Sequence, residues 1–519
     1  MSYFNRDETL VDSTRDVCRP TAAMAPHLFL ISGGTMRSQI LLTAVHSRSA
    51  ATPNAVAIRI GDEQIGYQDL TRRIAANCAE FDRIPLPPHA PIGFVTQKTP
   101  ETIALILGGA AAGHPPFLPA ASLGAAALTR ALDTAGAAGL AQGSAATGVT
   151  LERRSDPGEP ADRCTAIIFT TSGSTGTPKV VPLPETGVNA FLQWAIHTFD
   201  IGRESVVLSL APLNFDLSLL DIWATLFAGG TVVLPKPDST TDGAYLAGLI
   251  RSSRPTVIQT VPFFIGLISD ALSEEVDRSP FGSVQKLILT GDRVAPAVLG
   301  RLPQLFPNAE IYNVYGCTET NDSYMHRITE FNPGPGEGIP IGVPIAGVQA
   351  RILDPTGTEI SGAGTGELLV HTPFQAAGYA DPAIDTDRFV RRGADVFFRT
   401  GDIVTRDEQG VVRLEGRSDW LVKVRGARTN IQEVEAVLAS HPLVDEVAVI
   451  ARPHAVEGHR LHAEIRSFGG RKINSLEART HCAAALPVTA IPSTFGFGDT
   501  PLPRTTTGKV DRGRLTVRP

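Results

Sequence analysis

Residues 165–180 read Thr-Ala-Ile-Ile-Phe-Thr-Thr-Ser-Gly-Ser-Thr-Gly-Thr-Pro-Lys-Val. An apolar, β-branched run, Ile167-Ile168-Phe169, has the composition of a buried strand and feeds directly into a loop of hydroxyls and glycines. Gly173 and Gly176 let backbone N–H groups approach an anion closely. Thr170, Thr171, Ser172, Ser174 and Thr175 add hydroxyl donors, and Lys179 adds charge. Such a loop suits a polyphosphate. It is not a Walker loop, because that pattern places a glycine directly before the lysine and here Pro178 stands there.

On either side of this loop the chain alternates between helical and strand-like spacing. Thr71–Phe81 and Glu101–Leu107 read as helices, the second with Pro100 just ahead of it, where the start of a helix tolerates proline. Ile92–Val95, Val206–Leu210, Thr231–Leu234, Thr256–Ile258 and Lys286–Leu289 read as strands. Helix-length stretches such as Ser218–Ala228 and Pro262–Leu272 lie between them, which predicts crossover units and parallel sheet, an α/β class. From about residue 340 the text changes to short strands and Gly/Pro turns, a smaller β subdomain. Ile431–Ala439 and Val444–Ala451 then open an α+β tail. The expected division is a leader over 1–39, a large N-terminal domain over 40–416 and a small C-terminal domain over 417–519.

Composition narrows the class of function. The net charge of −7 and the lack of any basic run exclude an electrostatic nucleic-acid binder. Five scattered cysteines without a Cys-x-x-Cys pair fit a reducing cytoplasm, and neither a disulfide framework nor a zinc site. The acidic N-terminus is wrong for a secretory signal, and the apolar region Thr102–Gly113 is too short to span a membrane. A soluble, cytoplasmic, monomeric protein is expected.

Further motifs follow in order. Asn313-Val314-Tyr315-Gly316-Cys317-Thr318-Glu319-Thr320 comes first, then Gly366-Glu367-Leu368, Gly378-Tyr379 and Arg399-Thr400-Gly401-Asp402. Gly416-Arg417-Ser418-Asp419, Lys423-Val424-Arg425-Gly426 and Glu433-Val434-Glu435 lead to Pro503-Arg504-Thr505-Thr506-Thr507-Gly508-Lys509. In this sequence and order, over roughly residues 40–515, the chain resembles the adenylate-forming superfamily: acyl-CoA synthetases, luciferases and adenylation domains of nonribosomal peptide synthetases. The resemblance implies ATP and Mg²⁺ as cofactors and a mobile small domain that turns at a hinge, Asp419. Chemistry of that kind needs a cradle for pyrophosphate, a divalent metal, a nucleotide seat and a positive group for charge growing on the α-phosphate. The Thr170–Lys179 loop would supply the cradle, and Glu319 the metal carboxylate. Tyr315 would stack on adenine beside Gly316, and Asn313 would meet the adenine edge. Thr318 would donate to the α-phosphate or the substrate carboxylate. Asp402 would accept from the ribose hydroxyls, Arg417 would add a contact, and Lys509 would bridge carboxylate and α-phosphate in the transition state.

Residues 211–223 carry the substrate signal. Phe215-Asp216-Leu217-Ser218 resembles the amino-acid-activating branch, in which that aspartate pairs with the substrate ammonium. A carboxylate in an apolar wall is costly unless a cation neutralises it; a helix N-cap is the alternative use. The resemblance places Leu217, Leu220, Gln259, Ile288, Thr290, Val314, Asp322 and Ser323 around the substrate. That wall is half polar and suits a side chain with a hydroxyl, an amide or a second amine. No phosphopantetheine attachment sequence follows Lys509, so the expected acceptor is a separate phosphopantetheinylated carrier protein. Coenzyme A as acceptor and a non-catalytic nucleotide-binding or partner-binding relic are the alternatives. The chain departs from the usual pattern at Gly113–Pro119 and at Thr429-Asn430-Ile431-Gln432.

Overall fold

A computed structural model describes residues 39–515 except 122, 155–161, 163, 172–177, 275–279, 333–337, 385–386, 418–419, 425–426, 455–457, 468–471 and 506–508. The leader, most of the phosphate-type loop (Ser172, Gly173, Ser174, Thr175 and Gly176) and the hinge candidate Asp419 lie outside the described residues.

The β-branched runs form strands because burial on both faces rewards them, as in parallel sheets covered by helices. Six of them, Glu310–Cys317, Lys286–Thr290, Val257–Thr260, Val206–Ser209, Thr231–Leu234 and Val56–Ile60, lie side by side in parallel. Antiparallel strands Asn321–Arg327 with Val343–Pro344 and Glu63–Gly66 extend the two edges to nine strands. A second, six-stranded sheet contains Ile92–Phe94, Pro116–Leu118 and Thr165–Thr171. Helices Tyr67–Asp82, Pro100–Ala111 and Glu185–Thr198 belong to the principal core, which draws residues from both sheets. Thr99 caps the second of these, its hydroxyl accepting from Thr102 N–H, with Pro100 in the first turn as expected.

From residue 349 to 417 the chain forms a five-stranded antiparallel sheet. Another five-stranded sheet uses Leu421–Val424, Ala427–Asn430, Val444–His454, Gly458–Ser467 and Thr494–Gly498. Helices Ile431–Ala439 and Ser475–Ala485 cover it around a hydrophobic cluster of its own. The fold is thus α/β, with mixed sheets followed by a compact α+β unit.

One expected element differs in kind. Ser218–Ala228 is not a continuous α-helix: Leu219–Ala224 is a π-helix, and only Thr225–Ala228 is α-helical before Gly229 ends it at φ +80°. Leu219, Leu220, Ile222 and Ala224 join the principal core, while Asp221 is buried among them. Apolar periodicity cannot separate the two windings over one turn, and π-turns gather at functional sites.

Candidate active site

The glycine–hydroxyl loop joins two antiparallel strands. Thr171 pairs with Lys179, so Lys179 opens the returning strand Lys179–Pro184 rather than a helix. Thr170 Oγ accepts from Ala120 N–H at 3.0 Å, which ties the loop's base to the neighbouring segment. The Thr171 hydroxyl is buried with no hydrogen-bond partner. The Lys179 ammonium stands 5.0 Å from the centre of the Tyr379 ring, within cation–π range.

Tyr379 also donates its hydroxyl to Glu319 Oε1 at 2.6 Å. Lys179, Tyr379 and Glu319 are therefore brought together from three separate segments. Glu319 sits in the turn between strands Glu310–Cys317 and Asn321–Arg327 and is buried. That turn requires Gly316, because a Cβ there would lie 2.1 Å from the Asn321 carbonyl oxygen. From the strand before that turn, the Tyr315 hydroxyl donates to Asp402 of strand Asp395–Arg406, and Arg417 Nη1 reaches the other Asp402 oxygen at 3.1 Å. Asp402 is thus held in place from two sides, with Thr400 Oγ accepting from its backbone N–H. Asn313, expected at an adenine edge, donates its amide to the Pro340 carbonyl at 2.8 Å.

Asp216 lies just before the π-helix. Its carboxylate is hydrogen-bonded by the Thr318 hydroxyl, so Thr318 faces Asp216 in this structure. Burial pushes the Asp216 pKa up; the Thr318 bond opposes this, the Glu319 charge adds to it, and the Lys509 ammonium and a bond to the Leu217 backbone oppose it. The π-helix has no side-chain cap, so Asp216 is not spent on capping. Near Lys509, Thr505 N–H donates to the Lys509 carbonyl and Arg504 pairs with Val510 in an isolated β-bridge. Arg504 is anchored on both sides, 4.3 Å over the Phe263 ring and 3.2 Å from Glu446.

Cross-strand register places the remaining candidates. Gln259 pairs with Ser209 on one side and Ile288 on the other, and Thr290 pairs with Val314. Side chains alternate along a strand, so these residues share one face of the nine-stranded sheet. Ile288, Val314 and Leu220 pack in the same core cluster there, whereas Leu217 packs with the second cluster. Ser323 is fully buried, and its hydroxyl donates to the Asn321 carbonyl. Asp322 is 8 % exposed, and Oδ2 has no hydrogen-bond partner.

Three participants were not legible beforehand. Tyr379 lay within a quoted motif, but nothing local indicated that it holds Glu319. Lys98 has its ammonium on the Ser209 and Ala211 carbonyls at 2.7 and 2.6 Å, opposite the fully buried carboxylate of Asp221. Burial lowers Lys98 to about 8 and raises Asp221 to about 7, each countered by the other's charge. The signal available was an isolated lysine before the Thr99-Pro100 helix start and an acid inside an apolar helix face. Asn430, at one departure from the usual pattern, caps helix Ile431–Ala439 and donates to the Glu415 carbonyl at 3.3 Å. At the other departure, His114 is buried and its Nδ1 lies 2.9 Å from the Ala90 carbonyl, a structural use.

Among the described residues no group of three or more His, Cys, Asp or Glu side chains could hold a metal by itself. A metal shared with polyphosphate oxygens needs fewer protein ligands. Glu319 fits that use: Tyr379 engages Oε1 and fixes the carboxylate's direction. No helix among the described residues is long and apolar enough to cross a membrane.

This geometry can be set beside known proteins. An L-proline--[L-prolyl-carrier protein] ligase from Streptomyces coelicolor is 32% identical over 377 residues, covering 71% of this chain and 68% of that protein. Phosphinothricin tripeptide synthetase PhsB from Streptomyces viridochromogenes is 30% identical over 495 residues, 89% of this chain, which spans only 41% of that protein. The solved structure of Klebsiella oxytoca NpsA in complex with 3-hydroxyanthranilyl-AMSN superposes with a TM-score of 0.74 at 24% identity, covering 91% of this chain and 98% of that one, a likeness of fold. The model of the AMP-binding enzyme family matches residues 45–380, and that of the AMP-binding enzyme C-terminal domain matches residues 433–509. Lys179, Glu319 and Asp216 fall in the first match and Lys509 closes the second, so this chain belongs to the AMP-binding enzyme family.

Proposed function

We propose that this chain activates an amino acid with ATP as an aminoacyl-AMP, releasing pyrophosphate, and passes the aminoacyl group to the phosphopantetheine thiol of a separate carrier protein. The observation that carries the amino-acid reading is Asp216: a carboxylate raised by burial, hydrogen-bonded by Thr318 and facing Lys509. A substrate ammonium would neutralise it. The carrier acceptor is supported by the prolyl-carrier ligase relative.

In this mechanism Asp216 holds the ammonium and so directs the substrate carboxylate toward Thr318 and Lys509. Asp402, steadied by Tyr315 and Arg417, accepts from the ribose, and Thr170, Thr171 and Lys179 face the leaving phosphates with the rest of their loop. Glu319 would hold Mg²⁺, which when bound neutralises phosphate charge. Lys509 stabilises negative charge as it grows on the α-phosphate and carboxylate oxygens. Its segment belongs to the C-terminal unit, so we also assign 40–416 and 417–519 as domains that turn about Asp419 for thiol transfer.

ATP–pyrophosphate exchange across a panel of amino acids and simple fatty acids tests the proposal; exchange driven only by fatty acids would overturn it. Asp216→Asn is expected to raise the amino-acid KM by a hundredfold or more. Removing one partner of a buried charge pair costs about 3–5 kcal/mol. An unchanged KM with a lowered melting temperature would instead make Asp216 a purely structural residue.

A further inference from the structure

A second carboxylate in the site has no ion-pair partner among the described residues. Asp322 follows the turn that carries Thr318 and Glu319, in strand Asn321–Arg327, paired across the hairpin with Gly316. Its side chain is more than nine-tenths buried, and Oδ2 has no hydrogen-bond partner. Burial is the main influence on it, and the charge of Asp216 pushes in the same direction, toward about 7. No ion pair engages it among the described residues. Gln259, 1% exposed on the face that carries Ile288 and Thr290, likewise has a buried Oε1 without a donor.

Unpartnered buried acceptors are costly, and native structures leave few of them without a purpose. The charge balance at this site shows what would meet them. Lys509 and Thr318 act on Asp216, and an amino acid with one amine adds its single ammonium there too. Such a substrate leaves Asp322 buried against a like charge. A second N–H-bearing cation, on the substrate's side chain, neutralises Asp322.

Resting on the amino-acid reading above, we infer that the substrate is an amino acid with a second amine on its side chain, held by Asp322 while Asp216 holds the first. Asp322 is then the residue that selects for a charged side chain. A hydroxyl or amide side chain could occupy the same space but would bring no charge.

Amino-acid-dependent pyrophosphate exchange on the full chain tests this, with diaminobutyrate, ornithine and lysine set against norvaline, norleucine, homoserine and glutamine. At least one diamino acid is expected to exceed every neutral competitor in kcat/KM by about a hundredfold, since a site built for a hydrogen-bonding group rejects analogues lacking it. Asp322→Asn, which keeps the shape, is expected to reduce that ratio tenfold or more. The wild-type panel needs no variant to fold. Preference for homoserine, glutamine or an apolar side chain would overturn the diamino assignment and leave amino-acid activation standing. Exchange with no amino acid at all would overturn the amino-acid reading itself.

Discussion

Lys509→Ala is expected to slow pyrophosphate exchange by about a hundredfold to a thousandfold while ATP affinity changes only a few-fold. The Lys509 charge acts on Asp216, and the segment that carries it is anchored through Arg504. Its work is done on charge that is absent from the bound ground state and appears on the α-phosphate and carboxylate oxygens in the transition state. Interactions of that kind raise kcat and contribute little to binding. Single-turnover adenylate formation beside equilibrium ATP titration separates the two quantities. Exchange within threefold of the wild type would remove Lys509 from the catalytic step. An equal loss of ATP affinity would make it a binding residue.

The second large effect concerns stability. Lys98→Met is expected to destabilise the protein by about 3–5 kcal/mol, because it leaves Asp221 buried without its counter-ion and the Ser209 and Ala211 carbonyls without their donor. The loss should depend on pH. With Lys98 beside it, Asp221 is already raised to about 7, and without that charge its folded-state pKa rises further. An acid whose folded pKa exceeds its unfolded value stabilises the fold fully only below the unfolded value, and the benefit disappears as pH rises through the folded one. The deficit of the variant should therefore be smallest near pH 4 and grow through pH 7 and above. Pairing the change with Asp221→Leu should recover much of the stability, since an apolar pair of similar volume can replace a buried ion pair. Urea midpoints of the single and double variants at two pH values would measure both effects. An equally unstable double variant, or a deficit independent of pH, would rule out an unpaired charge as the cause.

Much of this molecule is written locally. Ile167-Ile168-Phe169 and Lys286-Leu287-Ile288-Leu289 become strands because β-branched and bulky residues fit a buried pleated surface. Pro100 and Thr99 start a helix because a prolyl nitrogen has no donor to lose there and a hydroxyl can cap the first turn. Lys179, Glu319, Asp402 and Lys509 could be named because each sits in a short run whose residue types suit phosphate, metal or ribose. Other features exist only once distant segments meet. The winding of Leu219–Ala224 into a π-helix shows only in the assembled structure, since local apolar spacing is the same for either winding. Tyr379 meets Glu319, and the Lys98 charge meets that of Asp221, from segments far apart in the chain. The resemblance places Asp322 near the substrate, but its burial without a partner and the like charge of Asp216 acting on it show only in the assembled structure. Backbone propensity acts over a few residues and is visible in sequence. Desolvation and the pairing of charges depend on which surfaces the tertiary fold excludes from water, and only the assembled structure decides that.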